Sequence, residues 1–218
     1  MQNIVPEIDA FILVGGRSSR LGTDKAFVEL RGMTLMQRAV ANVRDGLPGA
    51  KLKVVAGSSA QFAIEALTAD VPFIFDLHEG RGPLGGLHAA LASAKTPWIF
   101  VLACDYPFVS PDLIKILLEA VAEDRGAVVP EQRDGRLQPL CGFYKVGQSR
   151  PVVEEILDRP RVPPPMHEVV NRLDPRTIKF DEYAHLPGAE DLFCNINTRE
   201  DLQQAIDISD RFSPPKQN

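Results

Sequence analysis

The stretch IDAFILVGGRSSRLGTDK, residues 8–25, joins an apolar run directly to a segment of glycines and cations. The run Ile8–Val14 is rich in residues that favour β-structure, so it predicts a buried first strand. The segment Gly15–Lys25 contains three glycines, two arginines and one lysine. Glycines let backbone N–H groups approach an anion closely, and Arg and Lys neutralise its charge. The junction therefore indicates a phosphate-binding loop; the alternative is an ordinary strand-to-helix turn with exposed charges.

Short apolar runs alternate with helical patterns along most of the chain. Further strands are predicted at Lys51–Ala56, Val71–Asp76, Pro97–Ala103, Ala127–Val129, Leu137–Val146, Thr177–Phe180 and Leu192–Ile196. Helices are predicted at Thr34–Arg44, Ser59–Ala69, Leu87–Ala94, 110–123, Ser149–Asp158, Met166–Leu173 and Thr198–Ile206. This alternation predicts an α/β fold with a mostly parallel sheet and helices on both faces. We expect the latter third to add a small antiparallel lobe on the substrate side.

The bulk composition limits the class of protein. No clean linker interrupts the pattern, so residues 1–208 are predicted to form a single domain and residues 209–218 a disordered tail. The 218 residues carry a net charge of −5, whereas nonspecific nucleic-acid binders need a basic face. No apolar run approaches the roughly 20 residues that span a membrane, and the N-terminus lacks a signal-peptide pattern. We therefore expect a cytoplasmic protein that binds neither nucleic acid nor a membrane.

Polar clusters follow four of the predicted strands. They are Gly15–Lys25, Asp76–Gly86, Asp105 and residues 195–197. Ligands of open α/β sheets bind at the carboxyl ends of the strands. The coincidence of the four clusters at such ends predicts one active site.

Two acids and two amides in these clusters each allow two interpretations. Asp105 ends a buried strand, where a carboxylate can hold Mg²⁺ between phosphate oxygens or can simply form a turn. Asp76 has the same two interpretations, with ligand contact slightly favoured. Asn195 and Asn197 share one side of an extended segment, where they either bind a ligand or lead into the helix that Thr198 caps.

The absence of several known motifs from the sequence limits the type of chemistry. It is neither a P-loop nor the dinucleotide-binding fingerprint, because the glycine spacing and the Gly-Lys pair of those motifs are missing. The sequence also contains no Gly-x-Ser-x-Gly elbow. The pattern favours positioning and charge neutralisation, as in phosphoryl or nucleotidyl transfer.

The segment LVGGRSSRLGTDK resembles the signature L-x-G-G-x-S-x-R-x-G-x-D-K of molybdenum cofactor guanylyltransferases (the MobA type), which belong to the nucleotidyltransferases with a GT-A-like Rossmann fold. Four further segments resemble motifs of that family in the same order: GPLGGL, LACDYPFVSPDLI, LQPLCGFYK and FCNINTREDL. The resemblance spans about residues 9–205. It implies transfer of GMP from GTP to molybdenum–molybdopterin with Mg²⁺ as cofactor, and molybdoenzyme chaperones as further partners.

The resemblance also implies residue roles. Leu13, Val14, Gly15, Gly16 and Asp76 would contact the nucleotide, the first residues through backbone groups. Arg20 and Lys25 would neutralise the triphosphate, with Lys25 close to the reacting phosphorus. Asp105 would hold Mg²⁺ and touch the nucleotide, which makes it catalytic together with the two cations. Asn195 and Asn197 would lie near the metal and the pterin phosphate.

Several departures from the family pattern keep alternatives open. Val14 and Gly85 stand where the family usually has Ala, and Arg199 stands where it has Pro. Relatives often place an Asn after the second strand, where this chain has Gly57-Ser58. The alternatives are a cytidylyltransferase or a sugar-phosphate nucleotidyltransferase of the same fold, and a non-catalytic nucleotide-binding protein. Gly15-Gly16 and Asp24-Lys25 favour guanine, because the cytidine enzymes usually lack both pairs.

Overall fold

The computed structural model describes residues 7–14, 25–57, 70–78, 80–122, 124–159 and 162–211. The predicted helix over Ser59–Ala69 and the predicted site residues Gly15, Gly16 and Arg20 lie outside the described residues.

A seven-stranded sheet forms the centre of the described fold. The strands, in chain order, are β1 (Ile8–Val14), β2 (Glu29–Leu30), β3 (Met33–Thr34), β4 (Lys51–Ala56), β5 (Phe73–Phe75), β6 (Trp98–Ala103), β7 (Ala127–Pro130), β8 (Cys141–Lys145) and β9 (Arg176–Ile178). The order in the sheet is β5-β4-β1-β6-β8-β7-β9, and every neighbouring pair is parallel except the two that involve β8. The predicted α/β class with a mostly parallel sheet is confirmed.

Helices cover both faces of this sheet, as predicted. They are α1 (Leu35–Gly46), α2 (Pro83–Ser93), α3 (Pro111–Glu119), α4 (Val146–Leu157), α5 (Met166–Asn171) and α6 (Phe180–Tyr183), whereas α7 (Arg199–Arg211) packs beside the small pair of strands β2 and β3. The alternate side chains Ala10 and Ile12 of β1 pack with α1 and α3, whereas Phe11 and Leu13 pack with α2, α4 and α5. Because successive residues of a strand face opposite ways and both faces are covered, β1 is apolar except for the buried Asp9.

The antiparallel part of the fold differs from the prediction in its place. Strand β8 runs antiparallel to both β6 and β7 and lies inside the main sheet, so it does not form a separate lobe. The separate antiparallel sheet is the small pair β2–β3, early in the chain. Because β8 is antiparallel to both β6 and β7, β7 runs parallel to β6. The carboxyl ends of β6 and β7 therefore face the same edge of the sheet.

Hydroxyl side chains mark the starts of two helices. The hydroxyls of Thr34 and Ser110 cap α1 and α3. The predicted strand over Leu192–Ile196 is wrong: this segment consists of a turn and an irregular stretch of backbone. Its apolar residues are buried against neighbouring elements, so their pattern reflects packing and not a sheet position.

Two further differences concern the bounds of α2 and α7. Helix α2 begins at Pro83, four residues before the prediction, so the segment GPLGG is the entry and first turn of a helix. Helix α7 continues to Arg211, so residues 209–211 are helical and the prediction of a disordered tail is wrong for them.

Gly142 in β8 offers a test of the sheet packing. A β-carbon at this position would lie 2.5 Å from the carbonyl oxygen of Val128 and 2.8 Å from Cγ1 of Val129. The backbone of a central strand cannot move aside easily, so Gly142→Ala should lower the free energy of unfolding by about 1–3 kcal/mol. Urea unfolding measures this, and Gly147→Ala, whose β-carbon would meet nothing within 4 Å, is the control. Equal stability of the two variants would contradict the packing at β8.

Candidate active site

The carboxyl ends of four parallel strands lie side by side at one edge of the sheet. Val14 pairs with Ala56, and Ala56 pairs with Phe75, while Leu13 pairs with Ala103 on the other side. Backbone hydrogen bonds extend this alignment beyond the strands. The N–H of Asp76 donates to the carbonyl of Ala56 at 2.9 Å, and the N–H of Cys104 donates to that of Leu13 at 3.1 Å. The carboxyl ends of β1, β4, β5 and β6 therefore lie at the same edge of the sheet, as predicted for the strands that precede the clusters at 15–25, 76–86 and 105.

Asp105 and the segment Asn195–Asn197 are joined by a backbone hydrogen bond. The N–H of Ile196 donates to the carbonyl oxygen of Asp105 at 3.2 Å. Asp105 and Asn197 are half-buried and Asn195 is exposed. The structure thus brings together the turn at Asp105 and the segment that begins at Asn195, 90 residues later in the sequence.

The start of α7 holds this amide segment in place. One carboxylate oxygen of Asp201 accepts the N–H of Asn197 at 2.8 Å and the N–H of Thr198 at 2.9 Å. The hydroxyl of Thr198 in turn accepts the N–H of Asp201 at 3.1 Å. This reciprocal capping satisfies N–H groups that a helix start would leave unpaired. The capping role predicted for Thr198 is confirmed, and it orients the segment without using the side chains of Asn195 and Asn197.

The part of this edge formed by β1 and β5 contains Leu13, Val14 and Asp76. The side chains of Leu13 and Val14 are buried in the core, on opposite faces of the sheet. Only their backbone can face a ligand at the strand end. Asp76 is half-buried, and its Oδ1 accepts the N–H of His78 at 2.7 Å. Lys25 begins a 3₁₀ helix, Lys25–Phe27, in which Ala26 is buried.

A polar chain of hydrogen-bonded side chains begins at Tyr106, the residue after Asp105, and was not predicted from the sequence. The hydroxyl of Tyr106 donates to Gln138 at 3.0 Å, and the amide of Gln138 donates to Gln132 at 2.6 Å. Burial, together with the charge of Asp105, raises the pKa of Tyr106 far above its ordinary value, so the hydroxyl keeps its proton as a donor. Gln138 belongs to the quoted segment LQPLCGFYK, but its partner Tyr106 lies 32 residues away in sequence, too far for spacing to reveal the contact.

This polar chain ends at a cleft of about 420 Å³, which lies beyond the carboxyl ends of β7 and β9. Small-molecule sites typically measure roughly 300–1,000 Å³. The lining includes Gln132, Arg133, Arg136, Phe180, Tyr183 and Glu190. The guanidinium of Arg133 lies 4.4 Å from the centre of the Phe180 ring and 2.7 Å from Glu190. The cleft therefore combines aromatic faces with charged groups.

The oxygen donors at Asp105 fit a hard cation that is shared with a substrate. Nowhere in the described ranges do three or more His, Cys, Asp or Glu side chains group as metal ligands. Mg²⁺ is commonly held by one or two carboxylates together with substrate phosphates, so a lone carboxylate beside two amides is compatible with it.

Within the part of the chain that the structure describes, no helix combines the length and apolar character needed to cross a membrane.

Comparisons with known proteins agree with this geometry. The family model described as a MobA-like NTP transferase domain matches residues 10–167. A molybdenum cofactor guanylyltransferase of Desulfosudis oleivorans is 32% identical over 199 residues, covering 91% of this chain and 94% of the relative. A probable molybdenum cofactor guanylyltransferase of Natranaerobius thermophilus is 28% identical over 203 residues, with coverage of 91% and 94%.

A solved structure shares the fold over nearly the same extent. The molybdopterin-guanine dinucleotide biosynthesis protein A of Archaeoglobus fulgidus superposes with a TM-score of 0.73 at 25% identity, covering 93% of this chain and 99% of that one. The family match includes β1, β4 and β6, whose carboxyl ends form the site. The chain belongs to the MobA-like NTP transferase family.

Proposed function

We propose that this protein is a molybdenum cofactor guanylyltransferase, which transfers GMP from GTP to molybdenum–molybdopterin and releases pyrophosphate. The observation that carries the proposal is the hydrogen bond from Ile196 to Asp105, because it joins a potential metal ligand to the predicted acceptor-binding amides. The names of relatives at 28–32% identity over most of the chain support the same reaction.

The proposed reaction depends more on cationic groups positioned at the phosphates than on acid–base catalysis. A phosphate oxygen of the acceptor attacks the α-phosphorus of GTP, a new P–O bond forms, and the bond to the β-phosphate oxygen breaks. The nucleophile is already an anion, so it requires no strong general base. Arg20 and Lys25 offset the charge of the triphosphate and the leaving pyrophosphate. Mg²⁺ bound to Asp105 would supply Lewis-acid neutralisation of the same phosphates.

The sheet order suggests which side of Asp105 each substrate occupies. In this proposal GTP lies over β5, β4 and β1, where the backbone of Leu13, Val14, Gly15 and Gly16 and the side chain of Asp76 contact it. The acceptor lies on the other side, with its phosphate near Asn195 and Asn197. The rest of the acceptor extends toward the cleft beyond β7, which the chain from Tyr106 to Gln132 connects to the Asp105 turn.

Nucleotide selectivity tests this proposal first. We expect the purified protein to bind GTP in preference to CTP, ATP and UTP when titrated calorimetrically with Mg²⁺. Pyrophosphate release should then depend on molybdopterin. A preference for CTP would make the protein a cytidylyltransferase, and release with a sugar phosphate as acceptor would make it a sugar-phosphate enzyme. GTP binding without pyrophosphate release under any of these conditions would identify a non-catalytic binding protein.

A further inference from the structure

The polar chain that starts beside Asp105 has a direction. The hydroxyl of Tyr106 donates to Oε1 of Gln138 at 3.0 Å, and Nε2 of Gln138 donates to Oε1 of Gln132 at 2.6 Å. Gln138 is 9% exposed, whereas Gln132 lines the cleft beyond β7 and β9. The chain therefore begins next to the proposed metal ligand and ends at a surface that a ligand can reach.

The proton of the Tyr106 hydroxyl determines this direction. A phenolic hydroxyl carries one proton, and its acceptor here is Oε1 of Gln138. If the buried amide of Gln138 were reversed, that proton would lose its acceptor, and an unpaired buried donor is unfavourable. Gln132 consequently turns Oε1 towards Gln138, and among the residues that the structure describes its Nε2 has no hydrogen-bond partner. The amide atom of Gln132 that remains for a ligand is therefore a donor.

A row of aromatic rings also runs from Tyr106 to the cleft. The rings that pack edge to face are, in order, Tyr106, Phe193, Tyr183 and Phe180, with centroid distances of 5.9, 6.3 and 5.2 Å. The guanidinium of Arg133 lies 4.4 Å from the centre of the Phe180 ring, and its side chain is largely exposed. The exposed face of a guanidinium is a plane on which a flat heterocycle can stack. The row thus ends in a stacking surface at the cleft.

The cleft offers three kinds of contact to a ligand. Arg133 provides a flat cationic face, Gln132 an N–H donor and Glu190 a carboxylate acceptor. Together these groups complement a planar heterocycle that carries both a carbonyl oxygen and an amino group on its ring. The 2-amino-4-oxo ring of a pterin has this pattern of donors and acceptors.

We propose that Gln132 is a specificity-determining residue that donates from Nε2 to the ring carbonyl of the pterin acceptor, with Gln138 and Tyr106 as positioning residues. The inference rests on the proposed function, in which the acceptor is a pterin that extends into the cleft. The cleft lies two to three strand positions from β6, or roughly 10–14 Å at the usual strand spacing. The pterin ring therefore binds apart from the reacting phosphates at Asp105.

Fluorescence titration of the full chain with two free pteridines tests the hydrogen bond. Pterin carries the ring carbonyl, and 2,4-diaminopteridine has an amino group in its place. The wild-type protein should prefer pterin, because an amino group cannot accept from Nε2 as a carbonyl does. Gln132→Glu keeps an oxygen for Gln138 but replaces the donor with a carboxylate. This variant should bind pterin about tenfold or more weakly and should prefer 2,4-diaminopteridine.

The matched control is Gln148→Glu, which makes the same change at an exposed glutamine in the first turn of α4. The N–H of Val146, the first residue of α4, donates to the carbonyl of Pro97 just before β6. This helix start therefore lies at the opposite edge of the sheet from Asp105. A carboxylate is favourable at a helix start, so the control should fold and bind both pteridines like wild type.

A double-mutant cycle tests the positioning roles. Tyr106→Phe removes the proton that gives the chain its direction, so the amides of Gln138 and Gln132 can reverse. The preference for pterin over 2,4-diaminopteridine should be lost, whereas simple damage to the cleft would weaken both pteridines equally. Added to Gln132→Glu, Tyr106→Phe should have no further effect on the preference, because both oxygens of a carboxylate accept. An unchanged preference in Tyr106→Phe, or additive effects in the double variant, would overturn the positioning roles.

Three results would overturn the hydrogen bond itself. They are an unchanged preference in Gln132→Glu, no binding of either pteridine to the wild type, and displacement of pterin by GTP with Mg²⁺. Displacement would assign the cleft to the nucleotide, because guanine presents the same pattern of carbonyl and amino groups. The proposed function is tested separately, by pyrophosphate release from GTP and molybdopterin in the unmodified protein. Release would leave it standing whatever the titrations show, and absence of release with pterin bound would overturn the reaction alone.

Discussion

Replacing Asp105 with alanine should abolish GMP transfer while the protein stays folded. The variant loses the carboxylate proposed to hold Mg²⁺ among the phosphates. Metal neutralisation of a developing phosphate charge contributes several kcal/mol, so kcat/KM should fall about 10³-fold or more. The hydrogen bond to Ile196 uses the backbone carbonyl of Asp105, which alanine keeps. The segment Asn195–Asn197 should therefore retain its place.

Pyrophosphate release at saturating Mg²⁺ measures this effect, and thermal unfolding checks the fold. Asp112→Ala is a matched control, because Asp112 is an exposed acid seven residues away whose partner is Lys115 at 3.0 Å. Surface pairs of this kind contribute little, so the control should transfer GMP at the wild-type rate. Near-normal turnover of Asp105→Ala would exclude Asp105 as the metal ligand.

Replacing Lys25 with alanine should remove most of the activity by a different route. In the proposed mechanism the ammonium of Lys25 lies beside the reacting phosphorus, where it stabilises charge that grows in the transition state. Loss of one such preorganised group typically lowers kcat by about 10²–10³-fold. GTP binding should weaken as well, since the ground-state triphosphate carries the same charges. The effect should therefore appear in both kcat and KM for GTP.

Steady-state pyrophosphate release over a range of GTP concentrations separates these two parameters. The control is Lys115→Ala, which removes an exposed lysine of α3 and the partner of Asp112. Asp112→Ala and Lys115→Ala each remove one member of the same surface ion pair. Any effect on activity that comes only from losing a surface charge should therefore appear in these two controls. An unchanged kcat/KM in Lys25→Ala would show that the cations of the opening loop do not serve catalysis.

Local sequence patterns were sufficient for the elements that frame the site. The bounds of β1 and β4 agree with the prediction residue for residue, because each strand ends in an apolar run that stops directly before a glycine. The start of α1 agrees too, since Thr34 and Gln37 form a capping box within a single turn. The meeting of the strand ends at one edge was also predictable, because parallel strands joined by helices leave no other arrangement.

The tertiary structure alone decided the contacts that orient the site. The hydrogen bond between Ile196 and Asp105 and the chain from Tyr106 to Gln132 both join segments that fold as separate elements. It likewise decided that Leu192–Ile196 is not a strand, since its apolar residues are buried by neighbours from elsewhere in the chain. Local propensity acts over a few residues, whereas these contacts depend on how whole strands and helices pack. The sequence by itself therefore determined the fold class, the framing strands and the kind of chemistry, and packing determined where each side chain of the site lies.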